Sequence, residues 1–310
     1  MSNWFLIALI APLLWSIVNH LDKYLLSKYL KSRGVGALFI FSALSSVLVL
    51  PFLVYFYHST LFDISSLDLW TLLFVGFLSA GALYFYLEGM NEEEASIVVP
   101  LFQLVPVFGY FLSYFILGES LNTSQLFASL LIMFGIIALT IEIDADNNVS
   151  LKTKVLVLIT ISSFLFALHD TLFKKVALVE SFWIAVFWQY VSLCIVGVFI
   201  FIFVKKFRND FTEMFSHSGI KIFSLNVAGE VLYIIGNLAN NFATLLAPVA
   251  VVLVVSSYQP LFVFIIGIFL TVFLPNISIE KISRKHLVHK LVSILIIVIG
   301  SYFLYSASNY

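Results

Sequence analysis

The sequence predicts an all-α integral membrane protein with ten transmembrane helices, arranged as two inverted five-helix repeats around a central cavity. Three observations lead to this fold class. Of the 310 residues, 62% are hydrophobic and only 11% are charged, whereas a soluble domain carries about 25% charged residues. Apolar runs long enough to cross a bilayer recur along the whole chain. Similar polar clusters also return about 150 residues apart, which is the pattern of an internal repeat.

A membrane-spanning helix needs about 20 mainly apolar residues, and the predicted spans one to ten meet this length. They cover residues 4–26, 37–57, 68–88, 95–117, 124–143, 153–175, 182–204, 221–244, 248–274 and 287–307. Span one has no basic residue before its apolar stretch, so we interpret it as a retained span rather than a signal peptide. The only cysteine, Cys194, lies within span seven, which argues against a disulfide framework or a cysteine metal site.

The second half of span one carries the first polar cluster, and a matching cluster lies in span six. At an offset of 151 residues, Asn19 matches Asp170 and Lys23 matches Lys174. The other polar candidates of the two clusters are His20, Asp22 and His169. Charged groups at bilayer depth are expensive, so we expect them to face the bundle interior. Two alternatives stay open: Asp22 and Lys23 lie at the headgroup boundary, or the two clusters match by coincidence.

Spans four and nine contain prolines in corresponding positions. Pro100 and Pro106 lie in span four, and Pro260 lies in span nine, in register with Pro106. Proline removes a backbone donor and crowds the preceding turn, so these three residues are predicted hinges. Gln103 and Gln259 lie beside the prolines and are candidate pathway residues.

The chain divides at the acidic, polar stretch between spans five and six. We predict a first five-helix repeat over residues 1–143, a linker over 144–152 and a second repeat over 153–310. An odd number of helices in each repeat gives the copies opposite orientations in the membrane, with a binding site near the midplane between them.

Span eight carries a polar stripe at helical spacing. Its members are Glu230, Tyr233, Asn237, Asn241 and Thr244, at intervals of 3, 4, 4 and 3 residues. One face of a helix repeats in this way, and the stripe covers about 21 Å at 1.5 Å per residue. It is predicted to line a substrate pathway, together with Trp188 and Gln189 of span seven. The alternative is an interhelical hydrogen-bond seam.

Three features carry a family resemblance: Trp15 and Ser16 followed by Lys23, a proline-containing span four that ends in Gly118 and Glu119, and the duplicated five-helix unit. Together they resemble the EamA type of the drug/metabolite transporter superfamily. The resemblance implies ten helices around a cavity formed mainly by spans one, three, four, six, eight and nine, and a structural role for Glu119. The second copy departs from this pattern, because Phe273 stands where the first copy has Glu119.

The predicted function is secondary active transport of a small polar or zwitterionic metabolite, as an exporter or permease, by alternating access. The candidate residues include three acids and two lysines, which suits a solute that carries both charges. No Gly-x-x-x-x-Gly-Lys-[Ser/Thr] motif is present, so no ATPase of its own is indicated. Glu230 is the predicted group for coupling to protons, its alternative role being a hydrogen-bond anchor to Tyr233 or to a neighbouring helix.

Two other functions are weighed against this one. A carrier of sugar-linked or lipid-linked substrates is expected to place arginines in its cavity, but Arg33, Arg208 and Arg284 all lie in predicted loops. An intramembrane enzyme is expected to show a motif such as His-Glu-x-x-His or Gly-x-Ser-x-Gly, and neither is present. We therefore expect no enzyme activity, no cofactor, no metal and no nucleic acid. The expected partners are substrate, membrane lipids and protons, for a monomer or homodimer in the bacterial cell (inner) membrane.

The charge distribution and the family resemblance disagree about orientation. Leaving out Lys23 and Lys174, the loops after the odd-numbered spans hold 13 Lys or Arg residues, and the other side holds Lys175 alone. The positive-inside rule then puts both termini outside. The resemblance implies termini in the cytoplasm, so the orientation stays open.

Overall fold

The computed structural model describes residues 4–28, 34–92, 101–102, 104–140, 153–217, 220–273 and 284–307. Within these ranges the regular secondary structure is helical, without a strand. The α-helices are α1 (Trp4–Lys28), α2 (Gly34–Ser45), α3 (Leu50–Tyr57), α4 (Ser66–Glu92), α5 (Leu104–Leu117), α6 (Thr123–Thr140), α7 (Thr153–Ala177), α8 (Phe182–Phe203), α9 (Lys205–His217), α10 (Ile220–Leu246), α11 (Val249–Ser256), α12 (Gln259–Phe273) and α13 (Arg284–Ala307).

Six stretches of the described chain are long and apolar enough to cross a membrane. They are Trp4–Leu21, Gly36–Tyr57, Ser66–Gly89, Thr153–Ala177, Phe182–Phe203 and Val249–Phe273. Shorter apolar helices cover Leu104–Leu117, Thr123–Ala138 and Leu291–Ala307. These stretches coincide with predicted spans one to seven, nine and ten, and α10 coincides with span eight. The all-helical membrane class is therefore confirmed, whereas the count of ten spans stays a prediction.

Spans two and nine are broken rather than continuous. In span two a short 3-10 helix, Ser46–Leu48, separates α2 from α3. In span nine α11 ends at Ser256 and α12 begins at Gln259. A break inside an apolar span leaves backbone groups without helical partners, so such breaks need neighbouring protein around them.

Pro106 and Pro260 lie in the first turns of α5 and α12. The first N–H groups of a helix have no helical acceptor, so the missing proline donor costs little at these positions. Spans four and nine were predicted as single spans with hinges at the prolines, whereas the structure begins helices at Leu104 and Gln259 within them. Pro100 lies outside the described residues, and the role of all three prolines as hinges stays a prediction.

The bundle is held by long helix pairs. α1 packs along α10, α4 packs along α7, and α6 packs along α13. The α6–α13 contact depends on small residues, because a Cβ added at Gly135 would stand 2.8 Å from Ile297 Cγ1, and one added at Gly300 would stand 2.8 Å from Ile132 Cγ1. Close backbone approach through glycine is a common way to pack helices in membranes.

One helix was not predicted from the sequence. α9 follows directly on α8 and packs against α2 and α8. Two of its aromatic residues contact neighbouring helices: Phe207 contacts Phe39, and Phe211 contacts Phe201. A membrane span needs about 20 apolar residues, and this shorter, charged segment lies between predicted spans seven and eight, where the sequence predicts a connecting loop.

Candidate functional site

The N-terminal half of the predicted stripe lies on α10 and meets α1 and α2. The Glu230 carboxylate contacts two hydroxyls of α2, with Ser42 Oγ at 2.5 Å from Oε1 and Ser45 Oγ at 2.9 Å from Oε2. Tyr233 packs against Trp15 of α1, with ring centroids 6.3 Å apart. These contacts connect α10 to helices of the first half of the chain.

The C-terminal half of the stripe meets α8. Asn241 Nδ2 donates to Gln189 Oε1 at 3.2 Å, and the Thr244 hydroxyl donates to the Asn241 carbonyl at 2.7 Å. Asn237 lies within interaction distance of the Tyr190 hydroxyl, which has no hydrogen bond of regular geometry to the described residues. In this conformation the stripe therefore serves as a hydrogen-bonding surface between helices.

His169 and Asp170 of α7 belong to a buried polar network. Gln189 Nε2 lies 2.9 Å from His169 Nε2, and His169 Nδ1 lies 2.7 Å from Asp170 Oδ1. Asn240 Nδ2 donates to the other carboxylate oxygen, Oδ2, at 3.2 Å. A neutral His169 with its hydrogen on Nδ1 satisfies both of its contacts, because Nε2 then accepts from the Gln189 amide and Nδ1 donates to Asp170.

The direction of hydrogen-bond donation is consistent through this network. Asn241 donates to Gln189, Gln189 to His169, and His169 to Asp170. On the other side the Ser256 hydroxyl donates to Asn240 Oδ1 at 2.7 Å. Both Asp170 oxygens therefore accept, as an ionised carboxylate does. The network joins α7, α8, α10 and α11, and all of its members except Asn240 and Ser256 are candidate residues predicted from the sequence.

Lys174 forms an ion pair with Glu119 at the end of α5. The Lys174 ammonium also donates to the Ala247 carbonyl at 2.8 Å, and the Val249 N–H donates to Glu119 Oε2 at 2.9 Å. We call these four residues the clamp. It connects α5, α7 and the turn between α10 and α11, and Lys174 is only 5% exposed.

Gly118 gives Glu119 its position in the clamp. Its φ of 70° lies in the left-handed region, which favours glycine and ends the α5 helix. The chain turns there, and Glu119 reaches the α10–α11 turn. Glu119 was not among the predicted site residues. The signal for its contact was the pair of Gly118 and Glu119 at the end of span four, where the family resemblance implies a structural role for Glu119.

Span one is tied to span nine through the backbone of α12. Ser16 Oγ lies 2.5 Å from the Pro12 carbonyl oxygen of its own helix and 3.0 Å from the Gln259 carbonyl oxygen. His20 Nε2 lies 3.0 Å from the Val263 carbonyl, to which it donates. Asn19 is half-buried on the same helix. Gln259 thus takes part through its main chain.

The other predicted pathway residues are placed as follows. Trp188 donates its indole N–H to the Leu61 carbonyl at 2.9 Å, so it holds the connection between α3 and α4. The side chains of Asp22 and Lys23, and the whole of Gln103, lie outside the described part of the chain.

A groove of about 410 Å³ opens where the α3–α4 and α7–α8 connections meet. It is lined by Tyr57, Thr60, Asp63, Val179, Glu180, Ser181, Trp183 and Ile184, none of which was predicted as a pathway residue. The predicted central cavity between the repeats stays a prediction.

Residues 2–141 match the family model described as the EamA-like transporter family. This part of the chain is similar to an EamA-like transporter unit. The predicted resemblance to the drug/metabolite transporter superfamily is thereby confirmed, and the match implies a membrane transporter type of function. The comparison with curated proteins gives no match.

A solved structure described as "Crystal structure of protein" is similar to the whole chain. The alignment covers 100% of this chain and 98% of that one, with a TM-score of 0.70 and 15% sequence identity. At this identity the likeness concerns the fold. It shows that the second half of the chain, which lies beyond the family match, takes part in the same architecture.

Proposed function

We propose that this EamA-like protein is a secondary active transporter of a small polar or zwitterionic metabolite, which works by alternating access between two inverted five-helix repeats. Helix pairing supports the repeat. In such a repeat, each span corresponds to the span five positions later. The contact between spans three and six (α4 and α7) then corresponds to the contact between spans eight and one (α10 and α1), and both contacts are present. Span five also packs on span ten (α6 and α13), as a pair on the symmetry axis does.

The observation that carries the proposal is the polar interface between the two halves. Glu119 of the first half pairs with Lys174 of the second, and Glu230 of the second half contacts two serines of the first. A scaffold held together in lipid can use apolar packing alone. Charged contacts between the halves are expensive to bury. Such contacts are expected where the two halves separate and close again around a polar substrate.

The same groups support a zwitterionic solute. An ammonium group of a substrate finds carboxylates at Glu119 and Glu230, and a substrate carboxylate finds the Lys174 ammonium when the clamp opens. Proton coupling through Glu230 belongs to the proposal, because this acid makes no ion pair with any described residue. We place the protein in the bacterial cell (inner) membrane, as a monomer or homodimer that binds substrate, protons and surrounding lipids.

Counterflow in proteoliposomes tests the proposal. Vesicles containing the purified protein are loaded with a pool of amino acids, and labelled members of the pool are added outside. Parallel vesicles contain nucleotide sugars. We expect transient accumulation of label in the amino-acid vesicles. Exchange of nucleotide sugars alone would favour the carrier of sugar-linked substrates, and no exchange from correctly folded protein would contradict transport.

Asn241→Leu, with Phe242→Leu as its matched control, links the activity to the predicted face of α10. The first change leaves Gln189 Oε1 without its donor, and an unpaired buried polar group costs about 1–3 kcal/mol. About 1.4 kcal/mol corresponds to a tenfold change in an equilibrium constant. We therefore expect the counterflow rate to fall about tenfold. Phe242 is 41% exposed on the same helix, and its replacement should leave the rate unchanged.

A further inference from the structure

Three acids inside the bundle have different partners. Glu119 pairs with the Lys174 ammonium, and Asp170 accepts from His169 and from an asparagine amide. Glu230 contacts only two hydroxyls of α2 in the contacts that the structure shows. An ionised carboxylate away from water needs a compensating charge or strong donors. In this half-buried position, an ionised Glu230 would have only these two hydroxyls as described donors.

The hydrogen atoms around Glu230 can be counted. Ser42 Oγ lies 2.5 Å from Oε1, and Ser45 Oγ lies 2.9 Å from Oε2. Ser45 Oγ also lies 2.7 Å from the Ser42 carbonyl oxygen. Each hydroxyl has one hydrogen to donate, so an ionised Glu230 leaves two hydrogens for three close oxygen pairs. One pair of oxygen atoms would then lie in close contact without a hydrogen atom between them, so their lone pairs would repel each other.

A protonated carboxyl supplies the third hydrogen. Oε2–H then donates to Ser45 Oγ, the Ser45 hydroxyl donates to the Ser42 carbonyl, and the Ser42 hydroxyl donates to Oε1. Every close pair then holds one hydrogen. We infer that Glu230, Ser42 and Ser45 form a proton-binding site that is occupied in this conformation. That this proton is the coupling ion rests on the proposed function.

Among the side chains that the structure describes, no charged group pairs with Glu230. α10 packs against α1, α2, α7 and α11, and the described parts of α2 and α11 carry no charged side chain. On α7, His169, Asp170 and Lys174 are engaged in the network and the clamp, Lys154 pairs with Glu92, and Lys175 is exposed.

On α1, His20 bonds the Val263 carbonyl, while the side chains of Asp22 and Lys23 lie outside the described residues. Tyr190 of α8 interacts with Glu230, and Tyr233 of α10 interacts with Tyr190. A tyrosine at ordinary pH is neutral, so neither supplies a charge.

The shape of α2 gives the site a way to open. The chain leaves α-helical geometry at Ser46, one residue after Ser45, where the 3-10 helix begins. A 3-10 segment within a helix often marks a hinge. Movement at this turn would separate Ser45 from Glu230 and remove the acceptor of the carboxyl hydrogen, which releases the proton.

Infrared spectroscopy of the purified protein in lipid tests the site directly. The C=O stretch of a protonated carboxyl is followed while the sample is titrated from acid to alkaline conditions. We expect a carboxylic acid band at neutral pH that is lost in Glu230→Gln and kept in Glu119→Gln. Absence of the band from the unaltered protein would overturn the assignment, as would its replacement by a carboxylate band that changes when Na⁺ is added.

The direction in which Ser45→Ala changes the proton affinity of Glu230 distinguishes a protonated from an ionised Glu230. If Glu230 donates to Ser45, the alanine removes its acceptor, and the site should bind its proton about tenfold less tightly, the equivalent of one buried hydrogen bond. If Glu230 is ionised, the alanine removes a donor to the carboxylate, and proton binding would become tighter. Ser46→Ala is the matched control, because this buried hydroxyl donates to the Ala43 carbonyl at 2.6 Å.

Transport assays decide the role of the proton separately. Glu230→Gln should abolish uptake driven by a pH gradient and keep exchange at equal pH. Gradient-driven uptake that survives in this variant would refute coupling through the site. Loss of all transport from every variant and from the unaltered protein would count against the proposed function, while the infrared band would still report the site.

Discussion

The two ends of α10 meet opposite kinds of surroundings. Near its C-terminal end, Asn240 and Asn241 belong to a network in which each donor has an acceptor and Asp170 accepts at both oxygens. Near its N-terminal end, Glu230 meets two serines that have too few hydrogens for an ionised acid. Burial alone therefore does not decide whether a carboxylate in a membrane is ionised; the hydrogen-bond donors around it do.

The largest expected effect concerns the clamp beside the C-terminal end of α10. Lys174→Met leaves the Glu119 carboxylate without its ammonium partner, and breaking a buried pair from one side costs about 3–5 kcal/mol. We expect the free energy of unfolding, measured in detergent mixed micelles, to fall by this amount. If the variant unfolds like the unaltered protein, the clamp does not hold this end of α10.

The double variant Lys174→Met with Glu119→Gln is the control for the clamp. It leaves no unpaired charge, so it should recover part of the lost stability. A double variant that is as unstable as Lys174→Met alone would show that the lysine stabilises the protein through packing rather than through the ion pair.

An intermediate effect is expected from Asp170→Asn, which keeps the shape of the side chain. An ionised carboxylate accepts at both oxygens, whereas an amide accepts at one side only, and bonds to charged groups are about twice as strong as neutral ones. We expect a loss of about 1–3 kcal/mol in the free energy of unfolding. An unchanged stability would mean that Asp170 is already protonated, and the contrast between the two ends of α10 would disappear.

The sequence predicts the polar stripe on α10 better than it predicts the partners of that stripe on other helices. The stripe from Glu230 to Thr244 follows from helical spacing, and the structure places Glu230 and Asn241 at interhelical contacts as that spacing indicates. The partners of Glu230 are 185 and 188 residues away in the chain, and spacing within a span carries no information about which helix lies opposite. The sequence pattern therefore gave no reason to select Ser42 and Ser45 as partners of Glu230.

Local breaks were harder to predict than spans. Hydropathy identifies a long apolar run, but it does not report where the hydrogen bonds of that run are interrupted. The 3-10 helix Ser46–Leu48 and the gap between Ser256 and Gln259 thus both lie inside runs that read as single helices. Pro260 marked one of the two breaks, and Pro51, in the first turn of α3, marked the other.

The smallest expected effect is the sharpest test of the comparison. A protonated carboxyl, like a primary amide, offers one donor and one acceptor, so Glu230→Gln can place its N–H groups towards Ser45 and its oxygen towards Ser42. The free energy of unfolding should then stay within about 0.5 kcal/mol of that of the unaltered protein. Asp170→Asn, measured under the same conditions, provides the matched control, because the same chemical change there removes an acceptor that the network uses. If Glu230→Gln destabilises the protein as much as Asp170→Asn does, both acids are ionised. The third hydrogen needed by the close oxygen pairs around Ser45 would then come from a donor other than the Glu230 carboxyl.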